Sequence, residues 1–159
     1  MEHPDCYTCR KHQGEEPVPG GPIYEDAYVY ASHVAPPPGG RAYLGYCFVE
    51  LRRHASSLAD LTVEEAHAIG RLVAHLSRAL MAELGVEHVY AFVVSDQVPH
   101  LHFCLVPRHP GTPPQYWGTR IDEWPEAPQA DEVEIADLVA RLRERIRDEG
   151  LLDNEWRNE

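Results

Sequence analysis

Pro99-His100-Leu101-His102-Phe103-Cys104-Leu105-Val106-Pro107-Arg108 alternates polar and apolar residues. That alternation is the pattern of a β-strand with one face buried. Leu101, Phe103 and Leu105 line one face, against a helix. His100, His102 and Cys104 line the other, each about 7 Å from the next at a rise of ~3.4 Å per residue. Three groups able to bind a metal or attack an electrophile stand in a row.

The window alone leaves three readings open. His-x-His on a strand is a common way to hold zinc or iron, although no acidic ligand follows in Leu105-Val106-Pro107-Arg108. One imidazole could instead be a nucleophile that its neighbours orient. The third reading is a polar sheet face with no activity.

Working outward, His88–Val94 reads as a partner strand for Leu101–Val106. Ser95-Asp96-Gln97 reads as a tight turn closing an antiparallel hairpin. Before the hairpin lies the best helix signal, Val63–Leu84. Thr62 and Glu65 form a capping box, Ile69, Leu72, Val73, Leu76, Leu80 and Leu84 form an apolar stripe, and Gly85 is a good terminator. Tyr43–Leu51 reads as a strand leading into the basic corner Arg52-Arg53-His54, and Ile23–Ser32 as two short strands or a bent one. Residues 107–131 read as irregular. Glu132–Glu149 is a second amphipathic helix, with Val133, Ile135, Leu138, Val139, Leu142 and Ile146 on its buried side. The fold class is therefore α+β, an antiparallel β-sheet packed on one main helix plus a C-terminal helix. Residues 1–22 form a polar N-terminal segment, 23–110 the core domain, and 111–159 a C-terminal loop and helix packed on it. The first segment is disordered alone unless its Cys6-x-x-Cys9 pair ties it down.

A length of 159 residues is enough for one core without disulfides. A net charge of −12 argues against a nucleic-acid polymer as partner, since such binding rests on a basic surface. It leaves room for a small phosphorylated ligand held by local donors. No apolar run is long enough to span a bilayer, and Met1-Glu2-His3-Pro4-Asp5 lacks the features of a signal peptide. A cytoplasmic, membrane-free protein is expected. Four cysteines in such a setting are more often metal-binding, catalytic or buried than disulfide-bonded.

The segment from Val98 to Arg108 resembles the signature of the histidine triad (HIT) superfamily of nucleotide hydrolases and transferases, with Cys104 in place of the third histidine. The resemblance extends over about residues 5–110. Phe48-Val49-Glu50-Leu51-Arg52-Arg53-His54, Ser57-Leu58 and Leu61-Thr62 are similar to the family's strand, histidine corner and helix start. Cys6-Tyr7-Thr8-Cys9 is similar to the N-terminal cysteine pair of many members.

The resemblance implies a HIT-like fold and a small-molecule nucleotide as partner. It implies that His102 attacks the α-phosphorus and forms a nucleotidyl-histidine that water hydrolyses, with His100 and Cys104 beside it. It implies a structural zinc on Cys6, Cys9, His54 and His100, and a homodimer. A thiol redox pair is a poor alternative, because Cys6 does not follow a strand and open a helix. A thiol is a weak donor and behaves as a small apolar group, so Cys104 can slow, redirect or abolish the reaction. Ser95 and Gln97 are the phosphate-gripping candidates of a short turn, against ordinary turn polarity. Arg108 either neutralises phosphate or caps the site's edge. His109, Trp117 and Trp124 wall the pocket or pack the late helix. His33, His67, His75 and His88 read as surface or satisfied core residues, and Cys47 as strand core.

Overall fold

The computed structural model describes residues 5–94, 96, 98–148 and 150. The elements run α1 (Tyr7–His12), β1 (Tyr24–Glu25), β2 (Val29–His33), β3 (Ala42–Tyr43), β4 (Cys47–Leu51), α2 (Val63–Leu84), β5 (Val89–Phe92), β6 (His102–Pro107), β7 (Gln129–Ala130) and α3 (Glu132–Asp148). Five strands form an antiparallel sheet in the order β1-β2-β4-β6-β5.

The alternation along β6 sorts side chains as the sequence predicts. Leu101, Leu105 and Phe103 join Val49, Leu51, Val29 and Ala31 in one core, closed by Leu72, Leu76 and Leu80 of α2 and by Ile135, Leu138 and Leu142 of α3. The opposite face carries Cys104 and Val106, which pack with Tyr43, Ile121, Trp124 and Ala127. Helix α2 starts at its predicted capping box, with Thr62 and Glu65 bonding reciprocally, and ends at Gly85 in the left-handed region.

Three departures from the sequence reading have local causes. The run Tyr43–Leu51 is broken at Gly45, whose φ is 86°. A Cβ there would lie 2.6 Å from Leu84 Cδ1 and 2.8 Å from Pro107 Cγ, so the tight approach and the backbone both require glycine. The turn sends Ala42–Tyr43 to pair with Gln129–Ala130 in a separate small sheet.

The β5–β6 connection is longer than a tight turn. Phe92 pairs with Cys104, and the described residues 93, 94, 96 and 98–101 lie outside that ladder. Leu101 N–H instead donates to Ala55 O at 2.7 Å, and Leu51 N–H donates to Leu101 O at 3.2 Å. This carries the segment before β6 across to the 51–55 corner. Ser95 and Gln97 lie outside the described residues.

The described part of the N-terminal segment, residues 5–22, contains a helix. Helix α1 lies against the sheet, on the outer side of β2 and β4. Lys11 Nζ reaches Glu50 Oε1 at 2.6 Å and Ser32 Oγ at 3.3 Å, and His12 Nε2 reaches Glu50 Oε2 at 3.1 Å. Lys11 and Glu50 are both buried. Further along, Arg143 of α3 donates to the carbonyls of Gly20 and Pro22.

Buried polar groups make two expectations concrete. Glu50→Gln leaves the Lys11 ammonium buried without its counter-charge, and breaking such a pair costs about 3–5 kcal/mol; urea unfolding of the variant beside the parent measures it. His33 is buried, donates from Nδ1 to Val34 O and accepts at Nε2 from Gly45 N–H. Burial pushes its pKa down to about 4. Its neutral form is the native one, so its contribution is complete above the unfolded pKa of about 6.5 and is lost as pH falls from there towards 4. The slope difference between the parent and His33→Gln across that window is expected to approach 1.4 kcal/mol per pH unit; equal slopes would refute it.

Candidate active site and metal centre

Cross-strand register arranges the outer face of the sheet in rows. Tyr30 pairs with Glu50 and Glu50 with His102; Ser32 pairs with Phe48, Phe48 with Cys104 and Cys104 with Phe92. His102 begins β6 and stays half-buried, with its ring edge-on to Phe48 at 5.4 Å between centroids. Its Nδ1 lies 2.7 Å from the carbonyl oxygen of His100. A carbonyl can only accept, so Nδ1 carries the proton and donates it. Nε2 is then the nitrogen with the free lone pair. A neutral imidazole held in this tautomer is suited to nucleophilic attack.

His100 does not stand in the row. It precedes the ladder and is fully buried. Its Nε2 lies 2.6 Å from the Leu51 carbonyl, which makes Nε2 the donor and leaves the Nδ1 lone pair free. That atom faces Cys6 Sγ at 3.5 Å and Cys9 Sγ at 3.6 Å, while His54 Nδ1 faces Cys9 Sγ at 3.4 Å. Zinc–sulfur bonds near 2.3 Å and zinc–nitrogen bonds near 2.0–2.1 Å, opened to a tetrahedral angle, separate sulfur from nitrogen by about 3.5 Å. The three sulfur–nitrogen separations match the edges that a tetrahedral zinc site would have. All four ligand atoms lie within 4.8 Å of one another and could hold a metal ion. Burial pushes the pKa of His100 down to about 4, which keeps the imidazole neutral as ligation requires. Cys6 is the N-cap of α1, so a helix does open at the cysteine pair, contrary to the sequence reading. One turn of that helix brings both thiols round to the histidines.

Cys104 is buried under Ile121 and Trp124. Burial raises its pKa, and the Tyr46 hydroxyl facing it opposes the rise. It is a thiol at neutral pH. Trp124 thus packs on the sheet and not on the late helix. Arg108 follows β6 at the end away from His102, about 20 Å along the strand at ~3.3 Å per residue. Its guanidinium stacks on the Trp117 ring at 4.2 Å and bonds Tyr90 Oη at 3.3 Å. The structure does not bring it to His102. His109 donates from Nε2 to Leu44 O at 2.9 Å and is buried.

Sequence reasoning missed Lys11, His12, Glu50, Phe48 and Tyr46. One signal was available: Glu50 is a lone charge in the strand Cys47-Phe48-Val49-Glu50-Leu51, and an isolated buried charge needs a partner.

No family model matches the chain, and no curated protein does. Solved structures do. A zinc-bound histidine triad family protein from Mycobacterium smegmatis is 19% identical with a TM-score of 0.68, over 91% of this chain and 97% of its own. A hypothetical histidine triad nucleotide-binding protein from Sulfolobus tokodaii is 19% identical with a TM-score of 0.69, over 95% and 99%. A Hit-like protein from Bartonella henselae involved in cell-cycle regulation is 18% identical with a TM-score of 0.64, over 91% and 99%. With near-complete coverage in both directions, the chain has the histidine triad fold.

Proposed function

We propose that the protein is a nucleotide hydrolase or nucleotidyl transferase that acts on the α-phosphate of a nucleoside phosphoramidate or dinucleoside polyphosphate. The observation that carries this reading is the bond from His102 Nδ1 to the His100 carbonyl, which leaves the Nε2 lone pair available. The Nε2 lone pair forms a nitrogen–phosphorus bond as the bond to the leaving group breaks with its electron pair, and the leaving group takes a proton from solvent. Water then attacks phosphorus and loses its proton to solvent. The nitrogen–phosphorus bond breaks with its electrons returning to Nε2, and a 5′-mononucleotide leaves.

Cys6, Cys9, His54 and His100 would hold a zinc ion, and the Cys₂His₂ set suits it. A closed site of four protein ligands leaves no position for water, so the ion supplies a cross-link between α1 and the catalytic strand. The reading carries a homodimer and a cytoplasmic setting with it, where thiols stay reduced.

A second reading rests on Cys104. A buried neutral thiol is a poor substitute for an imidazole at a phosphate, which favours a nucleotide-binding module of low or no turnover. Incubation with adenosine 5′-phosphoramidate and with diadenosine polyphosphate separates the two. Release of AMP, reduced about 10³-fold or more in His102→Asn, supports the enzyme. Calorimetric binding of AMP without turnover supports the module.

Elemental analysis is expected to find one zinc per chain. Stripping it with a chelator is expected to lower Tm, and added zinc to restore it. A metal-free protein with unchanged Tm would refute the structural role.

A further inference from the structure

The C-terminal end of α1, the turn at Ala27 and the corner Arg52-Arg53-His54 border a cavity of about 420 Å³. That volume lies in the range of small-molecule sites, about 300–1,000 Å³. His102 does not line it. The cavity's chemistry contrasts with that of the chain. Net charge is −12, yet no carboxylate is among the described residues that line the cavity, whereas Arg52, Arg53, His12 and His54 are.

Both arginines are tethered by groups outside the lining. Arg52 donates from Nη1 to Glu25 Oε2 at 3.0 Å. Arg53 donates from Nε and Nη2 to the two Glu65 oxygens, each at 2.8 Å, and from Nη2 to Asp60 O at 2.8 Å. Arg52 Nε and Nη2 and Arg53 Nη1 keep unused N–H donors among the described residues. His12 supplies a buried acceptor. Its side chain is 6% exposed, and its Nε2 lies 3.1 Å from Glu50 Oε2. A carboxylate oxygen only accepts, so Nε2 carries the proton and Nδ1 the lone pair. That Nδ1 is buried and has no hydrogen-bond partner among the described residues. A buried acceptor left unpaired carries a desolvation penalty, which a donor from a ligand removes. Cys9 Sγ and His54 Nδ1 face each other at 3.4 Å and belong to the metal centre.

We propose that this cavity binds a small phosphate monoester that also bears a free hydroxyl, as a sugar phosphate does. The oxyanion takes the unused N–H groups of Arg52 and Arg53, and the hydroxyl donates to His12 Nδ1. Planar guanidinium groups match phosphate oxygens. Two adjacent arginines suit a group carrying about −1.5 to −2 charges at neutral pH better than a carboxylate with one. Binding is non-covalent and separate from the chemistry at His102.

The test is calorimetric titration of the full chain as isolated, with ribose 5-phosphate, inorganic phosphate and gluconate as probes. Ribose 5-phosphate is expected to bind saturably, one per chain, and more tightly than either of the others. Arg52→Gln changes a side chain at the cavity's rim and is expected to weaken it about 10-fold or more, as loss of a charge-assisted hydrogen bond does. His12→Phe keeps a ring of similar shape without the acceptor. It is expected to bring ribose 5-phosphate down to the affinity of inorganic phosphate. His102→Asn is expected to bind ribose 5-phosphate as the parent does. Binding that His102→Asn weakens and Arg52→Gln leaves unchanged puts the ester at the active site and overturns the proposal. Tighter binding of gluconate, a hydroxylated carboxylate, overturns the choice of phosphate. Absence of saturable binding at millimolar concentrations means that solvent alone satisfies Nδ1, and overturns the site. Should His12→Phe fail to fold, Arg52→Gln and His102→Asn decide the matter between them. Turnover is not read, so the result stands whether or not the chain hydrolyses nucleotides.

Discussion

The burial of one imidazole, His100, is the constraint on which the rest of the site depends. A fully buried ring carries two polar nitrogens that must both be satisfied. One goes to the Leu51 carbonyl. The other needs a partner that no main-chain group supplies, and the two thiols of α1 meet it. The position of α1, the helical turn from Cys6 to Cys9 and the path of residues 98–101 all follow from that requirement.

The second anchor of α1 is electrostatic. Lys11 and His12 converge on Glu50 in a region closed to water. The rings of Tyr7, Tyr30 and Phe48 surround the ammonium at 5.4–6.0 Å. Low local dielectric strengthens the pair and also raises the penalty for breaking it. A six-residue helix has little stability alone. Two long-range attachments, one through sulfur and nitrogen and one through charge, account for its being ordered.

Much of this was legible in the sequence where the pattern is local. The capping box at Thr62 and Glu65, the apolar stripe to Leu84 and the alternation from Leu101 to Leu105 each specify their element and its buried face. The ligand set Cys6, Cys9, His54 and His100 followed from a resemblance, since nothing in the spacing alone joins residues so far apart. What stayed hidden depends on tertiary contact. The alternation of Tyr43–Leu51 runs through Gly45 without a break, and only the approach of Leu84 and Pro107 shows why the chain turns there. The pairing of Lys11 with Glu50 joins residues 39 positions apart. The long β5–β6 connection reflects bonds to the 51–55 corner that no turn rule anticipates.

The same separation governs how the site comes into being. Cys6 and His100 are 94 positions apart in the chain. At roughly 5–20 residues per second, the cysteines leave the ribosome on the order of 5–20 s before the histidine that completes their cluster. During that interval two thiols and a partly formed helix stand without β6, exposed to oxidants and to competing metals. Assembly of the four-residue cluster is therefore a late event in the life of the chain.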